Sequence, residues 1–111
     1  MRRLISSIIW GVLACVPAAC PAAGQGVYTV AIKGHKFVPV ELNIPANRKI
    51  KLVVDNQDPT PEEFESYELN REKVVSGGKQ IIVYLGPLKP GPYKYFGDFH
   101  PQTAQGTVVA Q

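Results

Sequence analysis

Two short patterns, Glu62-Glu63-Phe64-Glu65 and Asp98-Phe99-His100, place oxygen and nitrogen donors around an aromatic residue. Successive side chains of an extended chain point to opposite faces, so Glu63 and Glu65 share the face that Phe64 does not use, and Glu62 falls on the other one. Asp98 and His100 repeat that spacing around Phe99. The second histidine, His35, lies in a Gly34-His35 break between two apolar runs. Carboxylate and imidazole are hard donors that suit Fe(II), Fe(III), Mn(II) or Cu(II). Sulfur is missing from the set, because Cys15 and Cys20 are the two cysteines and Met1 the one methionine, all close to the N-terminus. A copper–thiolate centre is therefore excluded beside these carboxylates. Carboxylates also favour the higher charge of Fe(III), so a ferrous ion they held would be easier to oxidise. Plainer readings stay open. His100 could cap its loop through a backbone bond, His35 could be solvated, Glu63 and Glu65 could be an exposed strand face, and Asp98 could be a turn residue. The alternation also leaves room for one site or two.

Other chemistries find little footing. Ser66 and Ser76 lack a neighbouring His-acid pattern to activate a nucleophile. No glycine-rich loop opens a helix to cradle phosphate. The chain of 111 residues carries 12 basic and 9 acidic side chains. Two of the basic ones, Arg2 and Arg3, precede an apolar run over residues 4–16 and then small residues, the pattern of a secretory signal peptide. We read residues 1–24 as that leader, with residues 25–111 forming one domain. An uncleaved anchor is disfavoured by Pro17 and Pro21, and lipidation at Cys15 or Cys20 is a lesser alternative to simple cleavage. Without the leader ten basic groups face nine acidic ones, so no basic face speaks for nucleic acid. Both cysteines go with the leader, so no disulfide is expected although the compartment would permit one.

The elements that must hold these donors are strands. Residues 27–33 alternate, residues 37–44 form an extended run interrupted by Pro39, and residues 49–55 place Ile50, Leu52 and Val54 on one face with lysines on the other. Residues 56–61 are turn chemistry, residues 66–75 are ambiguous, and residues 79–85, 93–96 and 107–110 read as further strands. No window shows a helical period. The pattern predicts an all-β, two-sheet Greek-key sandwich of seven or eight strands.

The stretch from Tyr93 to Gly106, YKYFGDFHPQTAQG, resembles the ligand loop of the cupredoxins, where an aromatic strand delivers a Cys, then a His three residues later, then a Met. By that resemblance His100 falls on the histidine, Gly97 on the cysteine and Gln105 near the methionine. Phe37-x-Pro39-x-x-Leu42-x-Ile44, Ile50-x-Leu52-x-Val54-x-Asn56 and Leu88-x-Pro90-Gly91-x-Tyr93-x-Tyr95 follow the same fold's pattern in order. Pro61-Glu62-Glu63 stands where the first copper histidine is found. Together with Asp98-Phe99-His100-Pro101, these residues are similar to the cupredoxin-like periplasmic component of bacterial ferrous-iron uptake systems and to the cupredoxin domain of EfeO-type iron proteins. The resemblance implies a periplasmic, cupredoxin-like protein that binds iron, with copper as a second ion and manganese as a surrogate. Its implied partners are a periplasmic iron-binding protein, an iron permease and a membrane electron acceptor, and its activity would be of ferroxidase type or simple delivery. Glu63, Glu65, Asp98 and His100 are the expected ligands, with His35 and Glu62 in reserve. The oligomeric state is expected to be monomer or homodimer. The competing reading is a metal-free adaptor that docks onto the other uptake components.

Overall fold

The computed structural model describes residues 26–111. The leader read over residues 1–24, with both cysteines and its cleavage position, lies outside the described residues. These form nine strands and no helix. One sheet runs in the order β2-β1-β4-β7, made of β1 (Val27–Lys33), β2 (Lys36–Val38), β4 (Ile50–Asn56) and β7 (Gln80–Leu85). The other runs β3-β9-β8-β5-β6, made of β3 (Glu41–Ile44), β5 (Glu62–Ser66), β6 (Arg71–Val75), β8 (Gly91–Gly97) and β9 (Gln105–Ala110).

The expected sandwich is present with more strands than the sequence predicted, for two local reasons. The run over residues 37–44 is cut at Pro39, which has no N–H to give to a ladder. Its first half, β2, pairs antiparallel with β1, whereas its second half, β3, pairs parallel with β9 in the opposite sheet. The chain thus changes layers at this proline. The ambiguous stretch over residues 66–75 resolves into a turn and β6, which pairs antiparallel with β5 from Glu62↔Val75 to Ser66↔Arg71.

Alternation sets the core. In β4, Ile50, Leu52, Val54 and Asn56 are buried, and they face Phe64, Val75, Tyr95 and Val108 from the other layer. Phe37 and Phe64 both pack on Tyr95, with ring centroids 4.8 and 5.0 Å apart. Burying each such ring contributes roughly 1.5–3 kcal/mol, which makes this trio the main adhesive between the sheets. At one end of the sandwich the β1–β2 turn, the β4–β5 loop and the β8–β9 loop come together. That end carries the site.

Candidate metal centre

Glu62 opens β5 on its inward face, as Phe64 and Ser66 do, while Glu63 and Glu65 are only half-buried on the outer face. A carboxylate that is 1% exposed needs partners for both oxygens, and Glu62 has them. Its Oε1 accepts from the N–H groups of Glu63 at 3.0 Å and Phe99 at 2.9 Å. Its Oε2 lies 2.6 Å from Nδ1 of His100, a short charge-assisted contact. The β8–β9 loop presents that imidazole through its own backbone bonds, Ala104 N–H to His100 O at 2.8 Å and His100 N–H to Gly97 O at 3.1 Å.

His35 arrives from the opposite sheet. Its ring lies on that of His100 with centroids 3.6 Å apart and planes 18° from parallel. Gly34 and His35 both have positive φ, 57° and 58°, and their N–H groups donate to the two carboxylate oxygens of Asp58 at 2.8 and 2.9 Å. The His35 amide is the main reason that the Asp58 carboxyl is held below its ordinary value, with the Gly34 amide and the two imidazoles adding to it against the effect of burial. His35, Glu62 and His100 each offer a donor atom, and all three atoms lie within 4.8 Å of one another. Two imidazoles and one carboxylate, partly open to solvent on the imidazole side, form a hard to borderline donor set that suits a divalent transition metal.

Gly97 lies directly against the Glu62 carboxylate. It pairs with Phe64 across β5–β8, and a Cβ added to it would lie 2.6 Å from Cδ of Glu62, 2.8 Å from Oε1 and 2.7 Å from Cβ of Ala104. The Glu62 carboxylate therefore occupies the space that any side chain at position 97 would need.

The six residues singled out from the sequence divide between two places. His35, Glu62 and His100 meet as described. Glu63 and Glu65 instead lie with Glu72 of β6, their carboxylate oxygens within 4.8 Å of one another, on the outer face of the second sheet. Glu63 is pushed up to about 7, first by a hydrogen bond with Glu72, then by loss of solvation and by the charges of Glu72, Asp98 and Glu65. Glu65 is raised by lost solvation and by the charges of Asp98 and Glu72. Asp98 is exposed, and its charge acts on that acidic group. Sequence reasoning missed Glu72 and Asp58. Glu72 faces Glu65 only once the β5–β6 register exists, and Asp58 stood among turn residues. The two-residue Gly34-His35 turn, readable as a need for an amide acceptor, was the one available signal for Asp58.

The cupredoxin-like domain model matches residues 4–110 of the chain. An uncharacterized protein of Rickettsia prowazekii (strain Madrid E) is 51% identical over 80 residues, 72% of this chain and 64% of that one, so the chain spans less than two thirds of this curated relative. Among solved structures, Auracyanin A, a "blue" copper protein from Chloroflexus aurantiacus, superposes with a TM-score of 0.65 at 13% identity, covering 77% of this chain and 98% of its own. Amicyanin from Paracoccus versutus gives 0.62 at 20% identity, over 88% and 87%. The likeness to these structures is one of fold. With the sequence match running through nearly every strand, the chain belongs to the cupredoxin-like domain family.

Proposed function

We propose that this chain is a periplasmic metal-binding cupredoxin-like protein whose centre is His35, Glu62 and His100, and that it assists ferrous-iron oxidation or transfer to an iron permease. The observation that carries the reading is the convergence of two imidazoles and a buried carboxylate, from three separate segments of the chain, on one point. Copper(II) is the resident ion this donor set and this fold favour, and iron is the cargo. A bound Cu(II) would supply a one-electron acceptor for Fe(II), with the electron passed on to a membrane electron acceptor of the same system. The chain's own residues do the rest. Glu62 brings negative charge into a dry position, which would help to hold a cation at the centre. The exposed edges of His35 and His100 leave the centre reachable from solvent. The acidic group of Glu63, Glu65 and Glu72 is set apart from it and serves, in this reading, as a cation-attracting surface beside Asp98. The periplasmic iron-binding protein and the permease are the proposed partners.

One observation favours the metal-free adaptor as a second reading. Both Glu62 oxygens are satisfied within the protein, so the buried charge does not require a cation. Calorimetric titration of the protein with Cu(II), Fe(II) and Mn(II), repeated on Glu62→Ala and His100→Ala, decides between them. We expect one Cu(II) per chain, lost in both variants, and a weak visible band without the intense blue of a thiolate complex. Failure of the wild type to take up any of the three ions would establish the adaptor reading. Anaerobic addition of Fe(II) to the copper-loaded protein, read as loss of the Cu(II) electron paramagnetic resonance signal, then tests oxidation against delivery.

A further inference from the structure

Where the His35 imidazole goes is decided by two backbone amides and one carboxylate. Lys33 pairs with Lys36 across β1–β2, so Gly34 and His35 alone close that hairpin. Both are left-handed, at φ 57° and 58°, the requirement of a two-residue turn in which Gly, Asn or Asp is the ordinary occupant. A histidine held in that conformation is a strained choice that calls for a reason. The turn belongs to a hairpin whose second strand has three residues at the edge of its sheet, so the hairpin alone does little to aim the ring.

The aiming comes from the β4–β5 loop. The Oδ1 and Oδ2 atoms of Asp58 accept from the N–H groups of Gly34 and His35 at 2.8 and 2.9 Å. Asp58 is itself fixed, because its N–H donates to Oδ1 of Asn56 at 3.1 Å and its carbonyl accepts from Gly78 at 2.9 Å. Asn56 is fully buried at the end of β4 and donates to the carbonyl of Thr60 at 2.8 Å and to those of Val75 and Ser76 at 3.3 Å. A chain of bonds thus runs from the core to the turn. The Asp58 carboxylate is 3.6 Å from Nδ1 of His35, too far for a hydrogen bond to the ring, so it acts on the imidazole through the backbone.

We propose that Asp58 is the positioning residue that makes His35 a metal ligand, clamping both amides of the turn so that the imidazole is held on His100 and within reach of Glu62. The proposal rests on the reading of His35, Glu62 and His100 as a metal centre. An acceptor with two oxygens is required, since an amide side chain in that place has one oxygen for two N–H groups and turns its own donor toward the other.

The test uses the full chain as wild type, Asp58→Ala, Asp58→Asn, His35→Ala and the Asp58→Ala/His35→Ala double variant. Cu(II) affinity is measured by competition titration, and bound nitrogens are counted from the hyperfine structure of the electron paramagnetic resonance spectrum. Supporting constellations such as this one are worth about 10–100-fold in metal affinity, so Asp58→Ala should weaken Cu(II) by that factor and lose one nitrogen, with Asp58→Asn in between. The double variant should bind no more weakly than His35→Ala alone, because Asp58 acts through His35. Without metal, the wild type should show slow exchange of the Gly34 and His35 amides and a ring-current shift on the His100 protons, both lost in Asp58→Ala. Wild-type affinity and nitrogen count in Asp58→Ala, or a further tenfold loss in the double variant, would overturn the proposal while leaving the metal centre standing. No Cu(II) uptake by the wild type would instead overturn the metal reading and this proposal with it.

Discussion

Replacing Gly97 by alanine is the sharpest probe of how this site is built. The added Cβ would meet Cδ of Glu62 at 2.6 Å and Oε1 at 2.8 Å, whereas carbon atoms in contact sit about 3.5–4.0 Å apart. The carboxyl must therefore retreat by roughly 1 Å, and three bonds depend on its position: those from Glu63 N–H, Phe99 N–H and His100 Nδ1. Overpacking alone typically costs about 1–3 kcal/mol, and each weakened bond to a charged group adds a share of about 1.5–3 kcal/mol. We expect Gly97→Ala to lose about 2–4 kcal/mol, which lowers the melting temperature of a domain this size by roughly 10–25 °C. Glu62→Ala should be destabilising on its own, since it leaves the Glu63 and Phe99 amides without an acceptor. In the double variant, however, the alanine at position 97 no longer meets the Glu62 carboxyl, while its 2.7 Å approach to Cβ of Ala104 remains. Denaturant titration of the four proteins should give a coupling of about 1–3 kcal/mol, with the second substitution partly relieving the first. A coupling below about 0.5 kcal/mol, or a Gly97→Ala protein as stable as wild type, would refute the claim that the carboxylate fills this space.

Substituting His35 by glycine should separate stability from binding. Relief of the left-handed backbone is worth about 1 kcal/mol and loss of the stacked ring about 0.5–1.5 kcal/mol, so the metal-free melting temperature should move by only a few degrees while Cu(II) affinity falls at least 100-fold. A large loss of stability would mean that the turn needs the imidazole for folding. Stability should also fall with rising pH on account of Glu63. Its folded value is raised from 4.5 to about 7, so the folded state holds a proton that the unfolded chain releases, and that contribution is full below 4.5 and lost as pH rises through 7. Melting curves from pH 5 to 8 should show the decline in wild type and a flatter profile in Glu72→Ala, which removes both the hydrogen-bond partner and the charge that raise Glu63; equal slopes in the two proteins would count against Glu72 as the cause.

Much of the fold was legible because alternation is strict where a strand has one wet face. Ile50, Leu52 and Val54 are buried with lysines outside, and the inward Glu62 and Phe64 against outward Glu63 and Glu65 follow the same rule. The exchange of sheets at Pro39 was not legible, since proline announces a break and not the partner of each half. Nor was the division of the acidic residues. Spacing places Glu63 and Glu65 on one face, but that this face looks away from His100 and toward Glu72 depends on the β5–β6 and β5–β8 registers. His35 stood only in reserve as a ligand, with a solvated loop residue as its plainer reading, because its contacts with Asp58 and His100 span 23 and 65 positions of the chain.

Gly97 and Glu62 are coupled by packing. A glycine at 97 without Glu62 would leave a void beside Ala104, and a glutamate at 62 with any side chain at 97 would be crowded off its three donors. The negative charge at this place sits on a carboxylate, a harder donor than sulfur, whose two oxygens are hydrogen-bonded before any ion arrives. The harder donor stabilises the higher charge, so a copper ion held here would accept an electron at a lower potential than one held by sulfur. In the proposed centre His35, left-handed in its turn and bonded through its amide to Asp58, supplies a second nitrogen from the other wall of the sandwich. On this view His35 and Asp58 should change together with the pair at 62 and 97, and a protein that keeps Glu62 and Gly97 but is indifferent to His35→Ala in Cu(II) binding would break the account at its centre.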